Sequence, residues 1–97
     1  MNYFFHPEAE IELNDAMEYY ESCAFGLGYD FSIEVHSTIK RICSLPKAWP
    51  TLVGEIKRCL TNRFPFGILY IEEGGSIYII AVMHLRRDPD YWQERIK

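Results

Sequence analysis

Residues 66–83 have the sequence FGILYIEEGGSIYIIAVM, and this stretch decides the fold class. Two runs rich in β-branched and aromatic residues, 66–71 and 76–83, flank the turn sequence EEGG. Adjacent glycines can supply the positive φ angles of a tight hairpin turn. The second run is the most apolar of the chain, as is typical of a central strand. The stretch therefore predicts a β-hairpin in the middle of a sheet.

A third strand is predicted immediately before this hairpin. Within residues 56–60, Ile56, Arg58 and Leu60 alternate with Lys57 and Cys59. This alternation has the period of a strand and predicts a strand with a basic face. The interruption NRFP at 62–65 then separates this strand from the hairpin.

The first half of the chain has helical periodicity instead. Two stripes of apolar side chains are spaced by three or four residues: Leu13, Ala16, Met17 and Tyr20, then Phe31, Val35, Ile39 and Ile42. Pro7 suits the first turn of the first helix, and the glycines of Gly26-Leu27-Gly28 suit a turn between the helices. The two segments predict a helical hairpin.

The predicted order of elements is β-α-α-β-β-β, with the aromatic run at 3–5 as the first strand. Helices followed by a meander of strands are typical of an α+β domain whose helices pack on one face of an antiparallel sheet. The other face is then expected to meet solvent or a partner. The 97 residues predict a single domain spanning 1–97.

Composition narrows the class of protein further. A hydrophobic fraction of 48% fits a globular domain, and no run is long enough for a transmembrane helix. The N-terminus lacks the pattern of a secretory signal, so a cytoplasmic protein is expected. The three cysteines are widely spaced, which excludes a disulfide framework and a recognisable zinc motif.

Charge is distributed unevenly along the chain. Residues 1–39 contain eight acidic residues and no Lys or Arg, whereas residues 40–97 contain ten basic and six acidic residues. The net charge of −4 argues against a general nucleic-acid binder. The basic second half nevertheless suggests an anionic partner, although two ordinary solvated surfaces would produce the same pattern.

Several short motifs together resemble a known superfamily, and they cover almost the whole chain. The motifs are Tyr19-Tyr20-Glu21, Gly26-Leu27-Gly28, Pro46 with Trp49-Pro50, Arg63-Phe64-Pro65-Phe66, His84, Arg87-Asp88-Pro89 and Trp92. In order and spacing the chain resembles the RelE/ParE superfamily of toxins from bacterial type II toxin–antitoxin modules. The resemblance implies a helical hairpin packed on a curved antiparallel sheet.

The resemblance also implies a function. It implies a cytoplasmic, growth-inhibiting toxin of the kind linked to plasmid stabilization, bound by its cognate antitoxin and using no cofactor or metal. ParE-like members inhibit DNA gyrase by binding, and RelE-like members cut mRNA on the ribosome without a metal. The segment at 82–92 and the acidic hairpin are closer to the ParE-like side. An inactive fold that only binds its antitoxin is the third alternative.

The ribonuclease alternative assigns catalytic residues conditionally. Cleavage by the 2′-hydroxyl needs a proton acceptor, a proton donor and cations for the phosphate. His84 is the candidate acid or base, because imidazole titrates near neutral pH. Arg63 and Arg87 are the candidate phosphate ligands. Each could instead be structural: His84 as a partly buried histidine, and Arg63 as the partner of Glu72 or Asp88.

The binding alternative needs a contact surface and no acid–base pair. Its candidate residues are basic or aromatic and belong to the second half of the chain: Lys57, Arg58, Arg86, Tyr91 and Trp92. Trp92 has a competing structural role, since a tryptophan near the C-terminus can cover the core.

Overall fold

The computed structural model describes residues 1–96 as two helices and a five-stranded sheet. The helices are α1 (Pro7–Cys23) and α2 (Leu27–Ser44). The strands are β1 (Tyr3–Phe5), β2 (Thr51–Val53), β3 (Ile56–Leu60), β4 (Phe66–Glu73) and β5 (Ser76–His84), and a short 3-10 helix follows at Gln93–Ile96. The α+β class is confirmed. No helix within residues 1–96 is long and apolar enough to cross a bilayer.

The sheet has the strand order β1-β5-β4-β3-β2 and is mixed. β1 pairs parallel with β5, whereas the remaining pairs are antiparallel. The sheet is therefore antiparallel as expected, except at the edge formed by β1. Since α1, α2 and three strands separate β1 from β5, the chain has ample length to return in the parallel direction. The sequence also gave no signal for β2, which has only three residues.

The predicted hairpin forms as expected. β4 and β5 pair from Phe66 with His84 to Glu73 with Ser76. Gly74 and Gly75 have φ angles of +59° and +80°, which glycine adopts without the steric cost that a side chain imposes. The hairpin places β5 between β1 and β4, so the most apolar run is a central strand as predicted.

The turn of the helical hairpin is fixed by Glu21 and two glycines. The Glu21 carboxylate accepts hydrogen bonds from the N–H groups of Gly26, at 2.9 Å, and Gly28, at 3.1 Å. A side chain at Gly28 would collide with the carbonyl oxygen of Met17, so glycine permits the close approach of α2 to α1. The predicted helical stripes then face the sheet, and Phe31 and Val35 are completely buried.

The second face of the sheet is covered as well. Trp92 is 1% exposed and packs with Leu69, Ile80 and Met83 on the face opposite the helices. The expectation that this face would meet solvent or a partner is therefore wrong for its central part. We call residues 86–96 the C-terminal segment, because this stretch folds back over the sheet.

Candidate functional site

Glu12 of α1 is the centre of a polar cluster that joins α1, β5 and the C-terminal segment. Its carboxylate accepts hydrogen bonds from Arg95 Nη1 at 2.8 Å and from Arg95 Nη2 at 3.0 Å. It also accepts from the N–H of Val82 at 3.0 Å. Arg95 Nη1 donates in addition to the carbonyl oxygen of Ile80, at 3.0 Å. A bidentate, largely buried ion pair of this kind fixes orientation as well as charge.

Arg87 and Tyr91 complete the cluster. Arg87 Nη1 lies 3.3 Å from Glu12 Oε2, and its guanidinium carbon lies 3.7 Å from the centre of the Tyr91 ring. The guanidinium carbon of Arg95 lies 5.0 Å from the same ring. Burial raises the pKa of the Tyr91 hydroxyl, and the negative charge of Glu12 raises it further. Burial alone would lower the pKa of Arg95, but the hydrogen bonds and charge of Glu12 outweigh it and raise this pKa.

His84 lies beside the cluster, in a cavity of about 500 Å³ between α1 and the end of β5. Its Nδ1 accepts a hydrogen bond from the N–H of Arg86 at 3.1 Å, and its ring packs edge-on against Phe66 at 5.1 Å. A neutral ring held in this way carries its proton on Nε2. His84 therefore has one ring nitrogen committed to the backbone and one available for a ligand.

The charges around this cavity are mainly negative. Glu12 and Asp15 line it together with His84 and Arg87, and Arg87 already faces Glu12. Glu12 is already paired with Arg87 and Arg95, so Asp15 is the lining carboxylate that no ion pair within residues 1–96 offsets, and its charge repels a phosphate group. The one arginine among these lining residues, Arg87, is thus engaged with Glu12 and not free for an RNA phosphate.

Arg63 does not join His84 and Arg87. It lies in the β3–β4 connection, where Nη1 is 3.5 Å from Asp30 of α2 and its guanidinium carbon is 5.1 Å from the Phe64 ring. Glu34 accepts the N–H groups of Arg63 at 2.8 Å and Phe64 at 3.2 Å, which ties this connection to α2. Of the three conditional catalytic residues, only His84 and Arg87 line a common cavity.

The partner expected for Arg63 was also wrong. Glu72 pairs with Lys47 at 3.3 Å, and Asp88 accepts from the N–H of Asp90 at 3.0 Å. Asp30 was not predicted because α2 and the β3–β4 connection meet only through the tertiary packing.

The predicted contact residues are divided between different surfaces. Lys57 Nζ donates to Thr51 Oγ1 at 3.1 Å, and Arg58 is half-buried on the same strand. Arg86 is exposed after β5, and Tyr91 is half-buried under Arg87. Lys57 and Arg58 therefore belong to β3, and Arg86 and Tyr91 belong to the C-terminal segment.

Trp92 is placed in the core by the structure. At 1% exposure its ring offers no surface to a partner, so its prediction as a contact residue is corrected to a packing role. The physical reason is that it supplies the largest apolar group of the C-terminal segment and buries that group against β4 and β5.

Sequence reasoning missed Glu12 and Arg95 as the residues that hold the cluster together. They are separated by 83 positions, and no motif links them. The available signal was the position of Glu12, one residue before Leu13 and four before Ala16, beside the apolar stripe of α1. Within residues 1–96, no three His, Cys, Asp or Glu side chains converge in a way that could hold a metal ion.

The backbone fold of this chain is similar to that of a solved structure. The chain is similar to a chain of the chromosomal ParDE TA system from P. aeruginosa, with a TM-score of 0.64 over 89% of this chain and 97% of that chain. The two chains share one fold. Their sequences are 15% identical, and the present sequence matches no protein-family model and no curated protein.

The ParDE-like fold confirms the architecture expected from the RelE/ParE resemblance. Because 97% of the ParDE chain is covered, the helical hairpin and the sheet correspond as a whole. At such low identity, the agreement concerns the backbone. The side-chain cluster around Glu12 is therefore described for this chain alone.

Proposed function

We propose that this chain is the toxin of a type II toxin–antitoxin system and that it arrests growth by binding its target, DNA gyrase. The ParDE-like fold over nearly the whole chain supports the toxin assignment. We further propose that the protein acts in the cytoplasm and is held inactive by a cognate antitoxin.

One observation favours binding over RNA cleavage. Arg63 is paired with Asp30 away from His84, and Arg87 is paired with Glu12. The cavity around His84 thus lacks an uncommitted arginine for the negative charge that phosphate gains during cleavage. A protein that acts through a contact surface needs no such group, which supports the ParE-like alternative over the RelE-like one.

Arg86 is the strongest single candidate for a target contact. It is exposed after β5, next in sequence to Arg87 of the Glu12 cluster, and forms no ion pair among residues 1–96. Arginine is enriched among the residues that dominate binding energy at protein interfaces. Lys57, Arg58 and Tyr91 are proposed as weaker contacts, because each is already half-buried.

The test is brief induction of the protein in a bacterium without its antitoxin, combined with a supercoiling assay on purified gyrase. We expect growth arrest, inhibition of supercoiling and no new RNA 5′ ends. New 5′ ends at fixed positions within translated codons would instead establish a ribosome-dependent nuclease. Absence of arrest would leave only antitoxin binding.

Variants separate these outcomes further. His84→Ala should leave growth arrest and gyrase inhibition intact, because no acid–base step is required. Arg86→Glu should weaken gyrase inhibition at least about tenfold, as expected for an interface hot spot. Lys40→Glu is the matched control, since Lys40 is exposed on α2 and gives the same change in charge. Loss of arrest in His84→Ala would favour the nuclease.

A further inference from the structure

A second groove lies at the edge of the sheet, between the end of α2 and β3. It has a volume of about 350 Å³ and is separate from the cavity of His84. Arg41 enters it from α2 and Arg58 from β3, and Trp49, Leu52 and Leu60 form its apolar walls. We call it the arginine groove.

The two arginines of this groove have no acidic partner. Within residues 1–96, the four ion pairs involve Lys47, Arg63, Arg87 and Arg95, and none involves Arg41 or Arg58. Asp30 and Glu34 line the neighbouring cavity with Arg41 but are engaged by the β3–β4 connection. In a chain with 14 acidic and 10 basic residues, two unpaired, half-buried guanidinium groups in one groove are unexpected.

Both arginine side chains are held in place by neutral contacts. Arg41 Nη2 donates to Thr38 Oγ1 at 3.0 Å, and its guanidinium carbon lies 5.9 Å from the centre of the Trp49 ring. The stem of Arg58 crosses Gly67, where an added Cβ would come within 2.9 Å of Arg58 Cδ. Positioned guanidinium groups lose little side-chain entropy when they bind an anion.

The groove also presents apolar surface. Leu52 is 38% exposed and Leu60 is 47% exposed, beside the Trp49 ring. Paired cations next to exposed leucines are complementary to a peptide that alternates carboxylates with aliphatic side chains. They are less complementary to RNA, because leucine offers neither stacking nor a charge, and the chain as a whole carries −4.

We propose that the arginine groove binds an acidic, leucine-bearing segment of the partner protein, with one carboxylate on Arg41 and one on Arg58. This inference rests on the proposed function, since the partner of a type II toxin is its antitoxin. It adds the location on this chain, the two residues that recognise the segment and the chemistry of that segment.

The experiment uses the full-length protein and a dye-labelled, blocked hexapeptide, Glu-Leu-Glu-Glu-Leu-Glu, and measures binding by fluorescence anisotropy. We expect binding that weakens as salt rises, because charge attraction at a half-exposed site is screened. Arg41→Gln and Arg58→Gln should each weaken it about tenfold, the value of one charged hydrogen bond. Arg58→Lys should restore part of the loss.

Three controls make the result decisive. Lys40→Gln removes an exposed cation that does not line the groove and should leave peptide affinity unchanged. The peptide with glutamine in place of glutamate should bind at least about tenfold more weakly. Thermal unfolding followed by circular dichroism separates loss of the site from loss of the fold, and Arg58→Lys keeps the stem that packs on Gly67.

The proposal is overturned by equal binding of the glutamine peptide, by no binding of either peptide, or by displacement of the acidic peptide by single-stranded RNA. These outcomes are independent of growth arrest. A chain that binds the acidic peptide but arrests no growth would contradict growth arrest through gyrase and leave antitoxin binding at the groove in place. A chain that arrests growth but does not bind the peptide would support the toxin assignment and contradict the proposed role of the groove.

Discussion

The two faces of the sheet are covered in different ways. On one face, α1 and α2 bury a continuous cluster in which the Phe31 ring lies 4.8–5.2 Å from the rings of Tyr20, Phe64 and Phe66. On the other face, a single short segment is anchored by Trp92 and by the ion pair of Arg95 with Glu12. The helices are held to the sheet by many apolar contacts, whereas the C-terminal segment is held mainly by two anchors, the Trp92 side chain and the ion pair of Arg95 with Glu12.

This difference predicts how each face of the sheet responds when one contact is removed. On the helix-covered face, loss of one contact should lower the free energy of unfolding of the whole domain, because the core unfolds cooperatively. Loss of one anchor on the other face can release the C-terminal segment alone, as local opening. The proposed target contacts Arg86 and Tyr91 lie in that segment, so the proposed binding surface is held by the C-terminal segment and its two anchors.

The largest expected effect comes from the helix-covered face. Phe31→Ala should lower the free energy of unfolding by about 3–5 kcal/mol, because it leaves a cavity within the aromatic cluster. Urea unfolding measures the change. Phe25→Ala, at the fully exposed tip of the helical hairpin, is the control and should change it by no more than about 0.5 kcal/mol. Equal effects would contradict the placement of Phe31 in the core.

On the face covered by the C-terminal segment, Trp92→Ala should lower the free energy of unfolding by about 3 kcal/mol. This is the low end of the range for a buried tryptophan, because the segment can detach by itself. Amide hydrogen exchange should accelerate in residues 86–96 while α1 and α2 stay protected. Ile96→Ala, which removes a half-exposed side chain of the same segment, should leave exchange nearly unchanged. Faster exchange throughout both helices would show that the two covers form one cooperative unit.

Glu12→Gln tests the second anchor. We expect the free energy of unfolding to fall by about 2 kcal/mol, because the guanidinium of Arg95 stays largely buried without its counter-charge. Burial should make this loss persist in high salt, where surface ion pairs are screened. Urea unfolding at two salt concentrations measures it, with exposed Glu18→Gln as the matched control on α1. A loss that vanishes in salt would mean that the ion pair is solvated.

The smallest expected effect concerns alkaline pH. The folded protein raises the pKa of Tyr91 above its ordinary value of 10.0, so Tyr91 stabilises the fold below pH 10 and stabilises it less as pH rises further. Stability should fall above pH 10 by about 1.4 kcal/mol per pH unit for each such group.

Tyr91→Phe should remove its share of this slope, because the variant has no hydroxyl to ionise. Burial also raises the pKa of Tyr70, on the helix-covered face, so part of the slope should remain in the variant. Urea midpoints between about pH 9 and pH 11 measure both shares. An unchanged slope in the variant would place the Tyr91 hydroxyl in solvent.

The local features of the fold were predictable because they depend on neighbours in sequence. The spacing of Phe31 and Val35 marked the buried side of α2, and Gly74-Gly75 marked the hairpin turn. The parallel pairing of β1 was not predictable, since it depends on how the whole chain returns to the sheet. Of the conditional catalytic residues, His84 and Arg87 line one cavity, whereas Arg63 lies apart from them beside Asp30, which is 33 positions away in sequence.

The sequence by itself determined the helical hairpin, the central β-hairpin and the acidic and basic halves, because periodicity, turn chemistry and charge are properties of short stretches. Only the tertiary structure decided that Trp92 is a core residue and that Glu12 holds Arg87 and Arg95. It also decided that Arg41 and Arg58 share one groove. A contact between distant positions has no local signature, so its partners are chosen only when the elements pack.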